Sequence, residues 1–93
     1  MDFRWNEWNQ EHVGRHGVEP ESAEQVVETA RTPFPRRIGD DKWLAWGRDM
    51  SGQLLQVIFV VDEGSGEIFV LHARRRARLV CRADYRSAVG QGQ

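Results

Sequence analysis

"KWLAWGRDMSGQLLQVIFVVDEGSGEIFVLHAR", residues 42–74, holds three apolar runs separated by two short turn-forming stretches. The runs are rich in β-branched and aromatic residues. The breaks, "DMSG" and "DEGSG", have the length and composition of hairpin connections. The spacing therefore predicts an antiparallel meander of three strands, "KWLAWGR", "QLLQVIFVV" and "EIFVLHAR". Side chains alternate along a strand with a period of two. Leu55, Val57, Phe59 and Val61 form one apolar set, and Phe69, Leu71 and Ala73 a second; both are expected to face helices. The alternate set contains Gln56 and ends in His72 and Arg74, so one sheet face is core and the other opens outward. Trp43 and Trp46 lie three apart and point to opposite faces, one towards the core and the other available to stack on a base.

Working outward, "RTPFPRRIGDD" (31–41) reads as a loop, because two prolines and a glycine break any regular element. Before it, "VEPESAEQVVETA" (18–30) starts a helix with Pro20 in the first turn and carries Ala23, Val26, Val27 and Ala30 as its apolar stripe. "NEWNQEHVGRHG" (6–17) is a second helix, with Asn6 as N-cap and Gly17 closing it in the left-handed conformation. Its Trp8, His12 and His16 recur every four residues and share a face. "DFRW" is a possible short strand ahead of it. "ARLVCRADYRSAV" (77–89) is helical in period, with Arg78, Arg82 and Arg86 on one stripe and Cys81, Tyr85, Ala88 and Val89 on another. Residues 90–93, "GQGQ", read as a frayed tail. The expected fold class is α+β in one domain over residues 1–93: a small antiparallel sheet, two N-terminal helices and one C-terminal helix.

The bulk numbers exclude several classes. At 93 residues, 40% apolar, the chain makes one small domain with a modest core. No run approaches the ~18 apolar residues of a membrane span, and "MDFRWNEWNQ" lacks a signal-peptide layout. The single Cys81 excludes an internal disulfide framework. The expectation is a cytoplasmic protein without membrane contact. The formal net charge of −1 conceals separated poles: −5 over residues 1–30, +3 over 31–48, −4 over 49–67 and +5 over 68–93. Such a chain can present a basic face to a polyanion without being basic overall. Twelve of thirteen basic residues are arginine, whose planar fork matches phosphate. A G+C-rich genome produces the same bias.

The residues in order also resemble a known family. Phe3 and Trp5, Asn9 in the first helix, Arg15-His16-Gly17-Val18, Gly47-Arg48 at a strand end, Gly52 with Leu55, and Ala73-Arg74 follow the pattern of the BrnT toxins over nearly the whole chain. The resemblance implies a RelE-like fold. It also implies a ribonuclease toxin of a bacterial type II toxin–antitoxin pair, silenced by a small BrnA-like antitoxin and touching operator DNA only within that complex. Two positions depart from the pattern. His72 stands where the family usually has Ser, and "RARLVC" lacks the usual Thr-x-x-Glu after Ala-Arg.

The residue types suit metal-independent cleavage of RNA, in which the 2′-OH attacks its own phosphodiester. A base must take the proton of the 2′-OH, a cation must stabilise the crowded phosphate, and an acid must protonate the leaving 5′-oxygen. Histidine serves the first and third roles near neutral pH, arginine the second. His16, Arg48, His72 and Arg74 are the catalytic candidates, with Arg48 and Arg74 on the phosphate and His16 or His72 moving protons. Arg15, Trp46, Arg78 and Arg82 are the candidates for binding RNA. Each has a plainer reading: His16 as a cation at a helix C-terminus, Arg48 as a partner of Asp49 or solvent, Arg74 as a solvated strand end. His12 and His16 at i, i+4 have helical metal-ligand spacing, but a third ligand would have to come from His72 or Cys81. No metal or cofactor is expected. An alternative function is a catalytically degenerate module of the same shape that binds protein or nucleic acid.

Overall fold

A computed structural model of the protein describes residues 1–75. The chain runs α1 (Glu7–Gly14), α2 (Pro20–Glu28), β1 (Arg36–Arg37), β2 (Lys42–Arg48), β3 (Leu54–Val61) and β4 (Ile68–Arg75). The strands form one antiparallel sheet in the order β1-β2-β3-β4. This is an α+β architecture. The proposed C-terminal helix over residues 77–89, with Arg78, Arg82 and Tyr85, lies outside the described residues.

Both helices start as their sequences dictate. Asn6 and Asn9 cap α1 reciprocally: the Asn6 side chain accepts from the Asn9 N–H at 3.1 Å, and the Asn9 side chain from the Asn6 N–H at 2.7 Å. This satisfies donors that the first turn would otherwise leave bare. Asn9 is fully buried, and its amide also donates to the Arg4 carbonyl at 3.0 Å, tying the N-terminal segment to the helix. α2 has Pro20 at its start and no side-chain cap; it depends on burying Ala23, Val26 and Val27. Each valine so buried contributes about 1.5–3 kcal/mol.

The main core lies between the helices and one sheet face. Val13, Val18, Ala23, Val26 and Val27 meet Ala45, Leu55, Val57, Phe59, Ile68, Val70 and Ala73 there. Three expectations are corrected. The "RTPFPRRIGDD" segment is not all loop: Arg36 and Arg37 pair with Leu44 and Trp43, making a fourth strand. Two residues carry no readable period, and pairing with β2 makes the strand. Val61 leaves the core, 39% exposed at the end of β3. In β4 the inward residues are Ile68, Val70 and Ala73, not Phe69 and Leu71. Ile58 pairs with His72 while Phe59 pairs with Val70, so Leu71 is an extra residue in a β-bulge. A bulge shifts the alternation by one.

The opposite sheet face is partly roofed. Phe34, from the segment after α2, packs on Leu44 and Trp46, with Ala30, Leu54 and Ile58 against them. Trp43 packs at the rim of the main core, so the two tryptophans do take opposite faces. The N-terminal segment adds only a bridge, Phe3 running parallel to Ile68 at the far edge of β4.

Candidate functional site: an imidazole–guanidinium cluster

The C-terminal ends of α1 and β4 meet at Gly17. This residue has φ +71°, and a Cβ built on it would lie 2.8 Å from Arg75 Nη2. The left-handed backbone is what favours glycine here; the guanidinium, the free end of an exposed side chain, would only have to swing aside. The tight exit from α1, with Gly17 N–H on the Gly14 carbonyl at 2.9 Å and Val18 N–H on that of Val13 at 3.1 Å, lays His16 beside β4.

Beside it stands His72, which immediately follows the bulged Leu71. The His16 and His72 rings meet edge-to-face with centroids 5.1 Å apart. Arg74 Nε donates to His72 Nε2 at 3.0 Å. That nitrogen therefore offers its lone pair to the guanidinium, and the proton of the neutral ring resides on Nδ1. His16 is exposed, while His72 and Arg74 are half-buried. Two imidazoles and the guanidiniums of Arg74 and Arg75 thus share one end of the molecule. A guanidinium has five N–H donors, and the contact with His72 uses one.

Arg48 does not join them. The row Trp46–Gln56–Arg74 crosses the sheet, and Arg48 lies two strands over and two residues beyond it. Strand spacing and rise put the Arg48 and Arg74 Cα atoms about 12 Å apart. Arg48 shares the sheet face of Arg74, but its Nη1 donates to the Gly52 carbonyl at 2.8 Å, closing its own turn. With Thr29, Arg31, Trp46 and Gly47 it lines a shallow cleft of about 280 Å³. The expected joint grip of Arg48 and Arg74 on one phosphate is not what this geometry offers.

The other candidates fall as follows. Arg15 is exposed and ion-paired with Glu11 at 2.8 Å, and that hydrogen bond holds the Glu11 carboxyl below its ordinary range. Trp46 is 4% exposed beneath Phe34, so the stacking face expected of it is taken up by the second core. Arg78 and Arg82 lie outside the described residues. His12 Nδ1 bonds the Trp8 carbonyl at 2.7 Å. Among the described residues no group of three or more His, Cys, Asp or Glu side chains is placed to hold a metal ion.

The turn after Arg48 has a buried acid at its centre. Asp49, 7% exposed, accepts from the Ser51 N–H at 3.0 Å, the Ser51 hydroxyl at 2.8 Å and the Gln53 N–H at 2.9 Å. Burial pushes its carboxyl up, but these bonds and one from Ser22 outweigh burial, and the pKa sits below the ordinary carboxylate value. Asp49 organises the turn, and Arg48 caps it.

Two rings beside the cluster escaped the sequence reading. Trp8 stacks on His12 at 3.8 Å and on Phe69 at 6.0 Å, and the Arg4 guanidinium lies 5.4 Å from the Phe69 centroid. The four-residue recurrence of Trp8, His12 and His16 was the signal for half of this row. Phe69 was hidden because the bulge reversed its expected face.

Fold and cluster together define a small α+β protein with an arginine-backed histidine pair at the junction of a helix end and a strand end. No protein-family model matches the chain, and no curated protein or solved structure is significantly similar to it.

Proposed function

We propose that this protein is a metal-independent endoribonuclease, the toxin of a bacterial type II toxin–antitoxin pair, with a RelE-like fold and a cytoplasmic site of action. A cognate DNA-binding antitoxin of the BrnA type neutralises it, and operator DNA is reached through that complex. The observation that carries the reading is the meeting of His16, His72 and Arg74, the residue types that 2′-OH attack on a phosphodiester requires. Once the phosphate draws the Arg74 guanidinium off His72 Nε2, Arg74 neutralises the charge that builds on it and His72 is free to share the two proton transfers with His16. The ordered resemblance to the BrnT toxins adds the biological setting.

The test is cleavage of a mixed single-stranded RNA by the purified chain in the presence of a chelator. Products ending in 2′,3′-cyclic phosphate are expected, with at least about a hundred-fold loss in Arg74→Ala. Full activity in a natively folded Arg74→Ala removes Arg74 from the mechanism. Activity that the chelator abolishes overturns the metal-free chemistry.

A second reading has its own support. Neither the threonine nor the acid of the family's Thr-x-x-Glu follows Arg74, and His72 replaces a serine. A catalytically degenerate module that binds protein or nucleic acid fits those departures. Intact RNA after long incubation, with growth unaffected by induction, favours it.

A further inference from the structure

We infer that Trp8 is the base-stacking platform of this site and that the ligand it selects is single-stranded RNA; the inference rests on the ribonuclease reading and names its substrate class. Trp8 projects from α1 and is 47% exposed, the largest aromatic surface the described residues leave open. It is nevertheless held in place. The His12 ring lies 3.8 Å from it at 28°, and that imidazole is itself pinned by its bond to the Trp8 carbonyl. Phe69 of β4 stands 6.0 Å from it at 20°. An aromatic ring whose orientation is set before binding loses little freedom when a base stacks on it.

Its position completes the case. Trp8 and His16 are eight residues apart along α1 and its exit, about 12 Å at the helical rise. A stacked strand covers that distance in about three to four nucleotides. On β4, Phe69 and His72 are three residues apart, so the aromatic row and the imidazole–guanidinium cluster lie along the same two elements. A strand whose phosphodiester lies at Arg74 thus has a ring ready for a base a few nucleotides away. The charges around Trp8 offer phosphate no attraction, so any hold on RNA at this ring has to come from stacking. Glu7 and Glu11 flank it on α1, Arg15 is paired with Glu11, and Arg4 is engaged by Asp62 at 3.3 Å and Glu67 at 3.6 Å. Duplex RNA keeps its bases in the helix stack and has no free face to offer.

The test is fluorescence anisotropy of a short labelled 2′-O-methyl RNA, which cannot be cleaved, titrated with the full chain. Trp8→Ala and Trp8→Leu should weaken binding about ten- to a hundred-fold, the worth of one stacked base. Trp8→Phe should retain most of the affinity, and duplex RNA should bind weakly. Trp8→Leu equal to the parent protein overturns the inference, because leucine keeps apolar bulk without a π-face. Equal binding of duplex and single strand also overturns it. So does a Trp8→Ala variant that loses its hold on the neighbouring-gene product but keeps its RNA affinity, since the surface then belongs to a protein partner. Cleavage of unmodified RNA is measured in parallel. Trp8-dependent binding without cleavage upholds the platform and removes the nuclease; cleavage with Trp8-independent binding does the reverse.

Discussion

Near the ends of β2 and β4, Arg48 and Arg74 lie on the same sheet face, yet the two ends do different things. Arg48 donates to Gly52 in its own turn, around the buried carboxylate of Asp49. Arg74 donates to the imidazole of His72, which lies against His16 from another element. The first end is closed by local bonds within a few residues. The second joins a bond within β4 to an imidazole from the exit of α1, and so brings titratable groups together from distant segments. Arginine at a strand end therefore carries no functional meaning alone; the group its guanidinium meets decides.

The contrast can be broken most severely at the histidine. His72→Gln should lower the rate of RNA cleavage by about 10²–10⁴-fold, the usual worth of a general acid or base, and the parent enzyme should slow on both the acid and alkaline sides of its optimum. A monotonic pH–rate profile would remove the two-histidine mechanism. Arg74→Ala should follow at about 10²–10³-fold, while Arg48→Ala stays within a few-fold in the same single-turnover assay. Equal losses for the two arginines would dissolve the distinction drawn between the strand ends.

Stability probes the same two places. Asp49→Ala strips several donors of a buried acceptor and should cost about 2–3 kcal/mol in urea denaturation. Because the Asp49 carboxyl is held below its ordinary range, its stabilisation is complete above about pH 4, where the unfolded carboxylate is ionised, and is lost as pH falls through the lower folded-state value. Asp49→Asn should therefore flatten the acid limb of the stability curve and leave its neutral slope unchanged. At the other end, Gly17→Ala meets a positive φ, and should cost about 1–2 kcal/mol while also slowing cleavage by displacing His16. The smallest effect belongs to Arg48→Ala, within about 0.5 kcal/mol in the same denaturation, since it removes one exposed bond.

Much of the frame was legible along the chain. The Asn6 cap, Pro20 at the start of α2, Gly17 after α1 and the hairpin meander all follow from residues within a few positions of one another. β1 was not legible, because two residues flanked by proline form a strand only when β2 supplies the partner bonds. Nor was the face of Phe69: one extra residue at Leu71 reverses everything before it, and no local signal distinguishes a bulged strand from a regular one. In the cluster, His16, His72 and Arg74 were named from chemistry and register, whereas the separation of Arg48 emerged only from its turn. Trp46 illustrates the same limit. Its alternation with Trp43 was readable, but its burial depended on Phe34, twelve residues away in sequence.

By itself the sequence determined the local elements, their caps and turns, and the supply of imidazole and guanidinium groups, because these depend on interactions within a turn or two of backbone. The tertiary structure alone decided which of those groups meet. The β3–β4 register and its bulge set where His72 and Arg74 point, and the junction at Gly17 brings His16 to His72 from fifty-six residues away, while Arg48 is left to its own turn.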